Sequence, residues 1–107
     1  IGTLSGGNQQ KVIIGRWVAA DAQVFLFDEP TRGIDIGAKS EIYNLIEKLA
    51  RAGKAIVVVS SEMTEIIRIS DRVLVMREGK ITKELKGDAI TEDNIARSAI
   101  KDVEETI

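Results

Sequence analysis

The chain has 107 residues, of which 44% are hydrophobic, so it can bury the core of one small domain or part of one. Its net charge of −2, with both signs interleaved, offers no basic surface of the kind that nucleic acid or an anionic membrane requires. The lack of histidine and cysteine excludes Ser-His-Asp catalysis and imidazole or thiolate zinc sites within this chain, and suits a cytoplasmic protein. The longest apolar run, Ala55 to Val59, is far shorter than the roughly 18 residues of a membrane span, so another subunit must cross any membrane.

The first segment places a Ser5-Gly6-Gly7 turn before an apolar-periodic stretch that predicts a helix from about Gly7 to Ala20. Glycines let the backbone approach an anion closely, and a helix N-terminus directs its unpaired N–H groups and positive dipole end at the same place. The pattern therefore suits a phosphate, although such a turn also starts ordinary helices. The apolar residues at helical spacing are Val12, Ile13, Ile14, Trp17, Val18 and Ala20.

The next segment predicts a strand that ends in two carboxylates. Val24 to Phe27 is typical of a strand buried on both faces in a parallel sheet, and Asp28 and Glu29 follow it directly. Open α/β sheets bind ligands at the carboxyl ends of their strands. In phosphoryl-transfer sites of this kind an aspartate holds Mg²⁺ and a neighbouring carboxylate orients the attacking water. Viewed alone, the two carboxylates before Pro30 would also fit a solvated turn.

A second helix and a second buried strand complete a βαβ unit. Asp35 can cap this helix, Gly53 lies just past its end, and Glu47 and Arg51 form an i, i+4 pair. Ala55 to Val59 is the second strand, and its crossover should be right-handed. The apolar stripe of the helix consists of Ile42, Leu45, Ile46 and Leu49.

The remaining residues predict a short helix, a hairpin and a last helix. Glu78-Gly79 supplies the turn of an antiparallel hairpin. Thr91 is the expected N-cap of the last helix, with Ile90 and Ile95 as its hydrophobic staple. The predicted ranges are Met63 to Ile69 for the short helix, Val73 to Met76 and Ile81 to Leu85 for the strands, Thr91 to about Lys101 for the last helix, and Asp102 to Ile107 for a frayed end. The fold class is α/β.

Together these segments resemble the ATP-binding-cassette (ABC) ATPases. Leu4 to Lys11, Val24 to Thr31 and Arg32 to Asp35 stand in the order and register of the ABC signature, Walker B and D-loop. The run Asp28 to Lys39, with Val59 to Met63 downstream, most resembles the second nucleotide-binding domain of sugar importers of the ribose, galactose and arabinose type. The resemblance implies a partial P-loop NTPase fold, with a mostly parallel sheet, flanking helices and a C-terminal hairpin plus helix.

The resemblance also implies ATP and Mg²⁺ as cofactors. Ser5, Gly6 and Gly7 would donate hydrogen bonds to the γ-phosphate of ATP that the opposite domain holds. Asn8 replaces the commoner glutamine of the signature, a change shared by this sugar-import type.

The Walker B and D-loop residues would serve the same chemistry from another segment. By resemblance Asp28 would bind Mg²⁺ and Glu29 would orient the attacking water. Asp35 would belong to the loop that links the two composite ATP sites, a role compatible with capping the second helix.

Two departures from the family pattern limit these expectations. The Gly-x-x-x-x-Gly-Lys-Ser/Thr phosphate loop is absent, so residues 1–107 are interpreted as the C-terminal half of a nucleotide-binding domain, without its Walker A half. Ser61 stands where ABC ATPases usually carry the switch histidine, and its hydroxyl offers no cationic contact to a phosphate. We expect Ser61 to cap the following helix and the Glu29 site to be weakened.

The sequence thus predicts part of the ATP-hydrolysing subunit of a carbohydrate importer, at the cytoplasmic face of the cell membrane. It would supply its signature in trans and be inactive in isolation. The implied partners are the other nucleotide-binding domain, transmembrane permease subunits and, indirectly, a sugar-binding protein, but no nucleic acid. An uncovered sheet edge or apolar face could also make the isolated piece self-associate. The alternatives are a non-transport ABC ATPase, acting on nucleic acid or the ribosome, and a non-catalytic dimerisation module.

Overall fold

The structure is a computed structural model that describes residues 6–100. The predictions for Leu4, Ser5, Lys101 and residues 102–107 lie outside these residues. The described chain divides between Ser61 and Glu62 into two units. Its elements are α1 (Gly6–Ala19), β1 (Val24–Asp28), α2 (Ile36–Arg51), β2 (Ala55–Val59), α3 (Met63–Ile69), β3 (Arg72–Arg77), β4 (Lys80–Lys86), a 3₁₀ turn (Gly87–Ala89) and α4 (Glu92–Ile100).

The first unit is the predicted βαβ unit preceded by α1. Strands β1 and β2 are parallel neighbours, with Val24 opposite Ala55 and Asp28 opposite Val59. Helix α2 connects them, and its buried apolar residues contribute to two clusters, one around Phe25 and one around Ile42. The α/β class and the order of the elements are therefore confirmed.

The expectation that both strands are buried on both faces is wrong for this chain. Phe25 is 5% exposed, whereas its neighbour Leu26 is 77% exposed. Val57 and Val59 are likewise exposed, while Ile56 packs against the core. Side chains alternate between the faces of a strand, so the helices cover one face of this sheet and leave the other exposed in the described residues.

The second unit is a helix, a hairpin and a helix. Strands β3 and β4 pair antiparallel as a separate sheet, and both Glu78 and Gly79 have positive φ, as a type I′ turn requires. Val73, Val75 and Leu85 form its buried cluster. Ile66 of α3 and Ile90, Ile95 and Ala99 in and beside α4 pack against that cluster.

The predicted helix caps have different outcomes. Thr91 Oγ1 accepts a hydrogen bond from the Asn94 N–H at 3.1 Å, which confirms that cap. Asp35 has the extended backbone of an N-cap before α2, but its side chain makes no capping bond. Ser61 does not cap α3, because Glu62 occupies the N-cap position. The Ser61 hydroxyl has another partner, described below.

Candidate nucleotide-binding site

The first turn of α1 begins at Gly6 and packs closely against α2. Gly7 is buried, and a Cβ built on it would lie 2.8 Å from the Ala38 Cβ and 3.8 Å from Ile34 Cγ2. The first contact is shorter than packed side chains tolerate, so only glycine fits at residue 7. Because Ile34 and Ala38 flank Asp35, the structure brings the first turn of α1 beside the predicted D-loop.

The inward face of α1 is not the apolar face that the sequence suggested. Val12, Ile13 and Trp17 are about half exposed. The face that contacts the rest of the unit is instead a stripe at i, i+3, i+4 and i+7, made of Gly7, Gln10, Lys11 and Ile14. Ile14 is 3% exposed and belongs to the Phe25 cluster.

Two polar residues of this stripe reach other segments, and the sequence analysis did not assign either of them. Gln10 Nε2 donates to the Pro30 carbonyl at 2.6 Å, and Lys11 Nζ lies 3.0 Å from Glu41 Oε2. The available signal was their spacing from Gly7 and Ile14. Asn8, predicted to belong to the signature, is exposed in the first turn.

The two carboxylates at the end of β1 point to different environments. Asp28 is the last strand residue and is exposed. The Glu29 N–H donates to the Val59 carbonyl at 2.7 Å, which continues the β1–β2 ladder by one bond. Glu29 then turns the chain with φ of 50°, a left-handed conformation that is costly for a residue with a Cβ. The pairing with β2 supports this turn.

Ser61 holds the Glu29 carboxylate from the end of the neighbouring strand. The Ser61 N–H donates to Oε1 at 2.7 Å, and the Ser61 hydroxyl donates to Oε2 at 3.3 Å. Arg32 lies 3.8 Å from Oε2, and the Glu29 side chain is only 18% exposed. Both carboxylate oxygens therefore already accept a hydrogen bond. Sequence reasoning placed Glu29 and Ser61 in one site, but it missed this direct contact.

One carboxylate at this edge, that of Asp28, is suited to bind Mg²⁺. Magnesium in nucleotide sites usually takes one or two carboxylates together with substrate phosphates and water. Asp28 offers such a carboxylate and is exposed, whereas Glu29 is engaged by Ser61. Within residues 6–100 no cluster of three or more acidic, histidine or cysteine residues could form a complete protein cage for a metal ion.

Curated relatives of this sequence are named as ATP-binding proteins of sugar import. A ribose import ATP-binding protein of Shigella dysenteriae is 58% identical over 94 residues, or 88% of this chain. A ribose/galactose/methyl galactoside import ATP-binding protein of Albidiferax ferrireducens is 56% identical over 92% of the chain. An arabinose import ATP-binding protein of Burkholderia ambifaria is 53% identical over 94%. In each case the match spans 19% of the relative's length. No protein-family profile matches the chain.

Solved structures show the same relationship at the level of the fold. A nucleotide-free ATP-binding cassette of an ABC transporter superposes with a TM-score of 0.82 and 26% identity, over 99% of this chain and 41% of that one. A second ATP-binding cassette of an ABC transporter superposes with a TM-score of 0.75 and 30% sequence identity, over 99% of this chain and 41% of that one. The chain has the fold of an ABC ATPase cassette.

Proposed function

We propose that this chain is the C-terminal half of the second nucleotide-binding domain in the ATP-hydrolysing subunit of a sugar-import ABC transporter. The observation that carries the proposal is the arrangement at one sheet edge, where Asp28 and Glu29 lie at the end of β1 and Ser61 follows the adjacent parallel strand β2. The names of the relatives support sugar import over a role on nucleic acid or the ribosome. Support for a half-domain comes from the 41% coverage of the solved cassette and the missing phosphate-loop motif.

In this proposal the first turn of α1 serves an ATP molecule that is held by the opposite domain. The N–H groups of the first helical turn lack partners within the helix, and together with the helix dipole they favour an anion. Ser5, Gly6 and Gly7 would direct these donors at the γ-phosphate, next to Asn8. The close approach of Gly7 to Ala38 places the turn against α2.

The Glu29 site is proposed to be the weaker of the two composite sites. A carboxylate orients water by accepting a hydrogen bond from it, and each Glu29 oxygen already uses one of its two acceptor positions for a bond from Ser61. Ser61 also brings no cation toward a phosphate. Asp28 would hold Mg²⁺, which when bound neutralises phosphate charge. Asp35 would lie between this site and the signature.

The proposed partners are a second nucleotide-binding domain, permease subunits and, through them, a sugar-binding protein. One matched structure, at 32% identity and over 79% of this chain, is described as dimeric. No helix within residues 6–100 has both the length and the apolar character to cross a membrane. We place the complex at the cytoplasmic face of the cell membrane, and we propose that the isolated chain can self-associate through the exposed face of β1 and β2.

Two measurements test the proposal. Calorimetric titration of Mg-ATP into the 107-residue chain, shown by circular dichroism to be folded, should give no binding heat, since the phosphate loop is absent. The full-length protein assembled with its permease in lipid vesicles should couple ATP hydrolysis to uptake of ribose, galactose or arabinose. ATP binding by the chain alone would contradict the half-domain interpretation, and turnover without uptake of any of these sugars would contradict sugar import.

A further inference from the structure

Gln10 joins two segments that the proposed function assigns to different ATP sites. It lies one helical turn after Gly7, and its side-chain amide reaches the backbone of Pro30, 20 residues further along the chain. Pro30 directly follows Glu29, whose carboxylate Ser61 holds. One hydrogen bond therefore connects the first turn of α1 with the turn after the Walker B strand.

The Pro30 carbonyl has a different kind of hydrogen-bond donor from the carbonyls of Glu29 and Thr31. The Glu29 carbonyl accepts from the Arg32 N–H at 3.2 Å, and the Thr31 carbonyl accepts from the Ile34 N–H at 3.1 Å. These bonds close the turn on itself. The Pro30 carbonyl instead accepts from Gln10 at 2.6 Å in a partly buried position. The side chain of Pro30 is fully buried, so this part of the turn lies in the core and not in solvent.

The other inward contacts of α1 do not replace this bond. Gly7 contacts Ala38 of α2, and Ile14 joins the Phe25 and Leu49 cluster. Lys11 pairs with Glu41, whose side chain is 58% exposed, so solvent weakens that pair. Packing of this kind allows a helix to slide or tilt slightly, whereas a short hydrogen bond fixes distance and direction.

We propose that Gln10 is a positioning residue that fixes the first turn of α1 relative to Glu29. This inference rests on the proposed function for its catalytic consequence. Through Gln10, a displacement of the signature on closing over a partner's ATP is transmitted to the Glu29–Pro30 backbone. The reverse also holds, since a coupling between two sites is reciprocal.

The test compares three variants in the full-length protein. Gln10→Met keeps the length of the side chain but loses the donor, Gln10→Lys retains a donor that can reach the carbonyl, and Gln23→Met is the matched control. The Gln23 amide bonds Asp21, two residues away. We expect Gln10→Met to lower the kcat for ATP about fivefold, the loss of one hydrogen bond, with KM changed less than twofold because the phosphate loop holds ATP elsewhere. Gln10→Lys should recover most of kcat, and Gln23→Met should leave it unchanged.

Amide hydrogen exchange separates this inference from the proposed function. Gln10→Met should speed exchange at the Arg32 and Ile34 amides of the turn, and Gln10→Lys should restore it, whether or not the protein hydrolyses ATP. Unchanged kcat and exchange in Gln10→Met, or equal losses in the Met and Lys variants, would overturn the role of Gln10. A wild-type protein without ATP turnover would contradict the proposed function, and the exchange data would still decide whether Gln10 fixes the turn.

Discussion

The first turn of α1 and the Glu29 corner, defined as Glu29, Arg32 and Ser61, lie in the same unit but are built differently. The turn of α1 packs closely on α2, since a Cβ at Gly7 would lie 2.8 Å from the Ala38 Cβ. The Glu29 corner is fixed by polar contacts, with Ser61 bonding both carboxylate oxygens. The Glu29 carboxylate is thus bonded within the unit, whereas the turn of α1 is placed by its packing. On this difference rests the proposal that the signature contributes the larger share of the chemistry.

The largest loss is expected from Gly6→Trp. An indole at the start of α1 would occupy the space where an anion must approach the N–H groups, so ATP turnover of the full-length protein should fall by about 100-fold or more. Gly15→Trp is the matched control, because nothing lies within 4 Å of a Cβ at that position of the same helix. Intact turnover in Gly6→Trp would favour the non-catalytic dimerisation module instead.

Gly7→Ala should reduce stability rather than only activity. The new Cβ would overlap Ala38, and neither group is the end of a flexible side chain, so the free energy of unfolding should fall by about 1–3 kcal/mol. Gly15→Ala, with open space around it, should instead raise stability by up to about 1 kcal/mol. Denaturant unfolding of the two variants measures both effects, and equal changes would show that Gly7 is not packed as described.

Ser61→His should raise ATP turnover of the full-length protein by a few-fold. The imidazole would restore the side chain usual at the switch position and remove the hydroxyl bond to Glu29. Ser61→Ala removes the same 3.3 Å bond but retains the 2.7 Å bond from the backbone, so it should change turnover less than twofold. A fall in turnover with histidine would contradict the interpretation of Ser61 as the weakening residue.

The smallest stability effect is expected from Asp35→Ala. Its side chain makes no capping bond, so the substitution should cost less than half of the roughly 1 kcal/mol expected for Thr91→Ala, which removes a real cap. If Asp35→Ala nevertheless lowers ATP turnover, the loss would support the proposed position of Asp35 between the two ATP sites. Equal destabilisation by the two variants would show that Asp35 acts as a cap after all.

The sequence predicted the elements because periodicity and turn residues are local signals. Helix α3 begins and ends where predicted, and the hairpin turns at Glu78-Gly79. The contacts that define the site are not local. Gln10 and Pro30 are 20 residues apart, and Glu29 and Ser61 are 32 apart, so their bonds exist only once α1 and β2 pack beside β1.

Burial was harder to predict than secondary structure. An apolar run such as Val24 to Phe27 reads as a strand covered on both faces, yet Leu26 is mostly exposed in the described residues. The same limit applies to α1, where a glycine and two polar residues face inward and Trp17 does not. Hydrophobicity alone cannot identify a face that is chosen by close packing and hydrogen bonds.

The most direct test of the difference between the two regions is a side-by-side measurement of ATP turnover in the full-length protein for Ser5→Arg and Glu29→Gln. The first places a bulky cation in the signature, and the second removes the charge that Ser61 holds. We predict a loss of about 100-fold or more for Ser5→Arg and less than tenfold for Glu29→Gln. Equal losses would mean that the Glu29 site is fully active, and the proposed division between the two sites would be wrong.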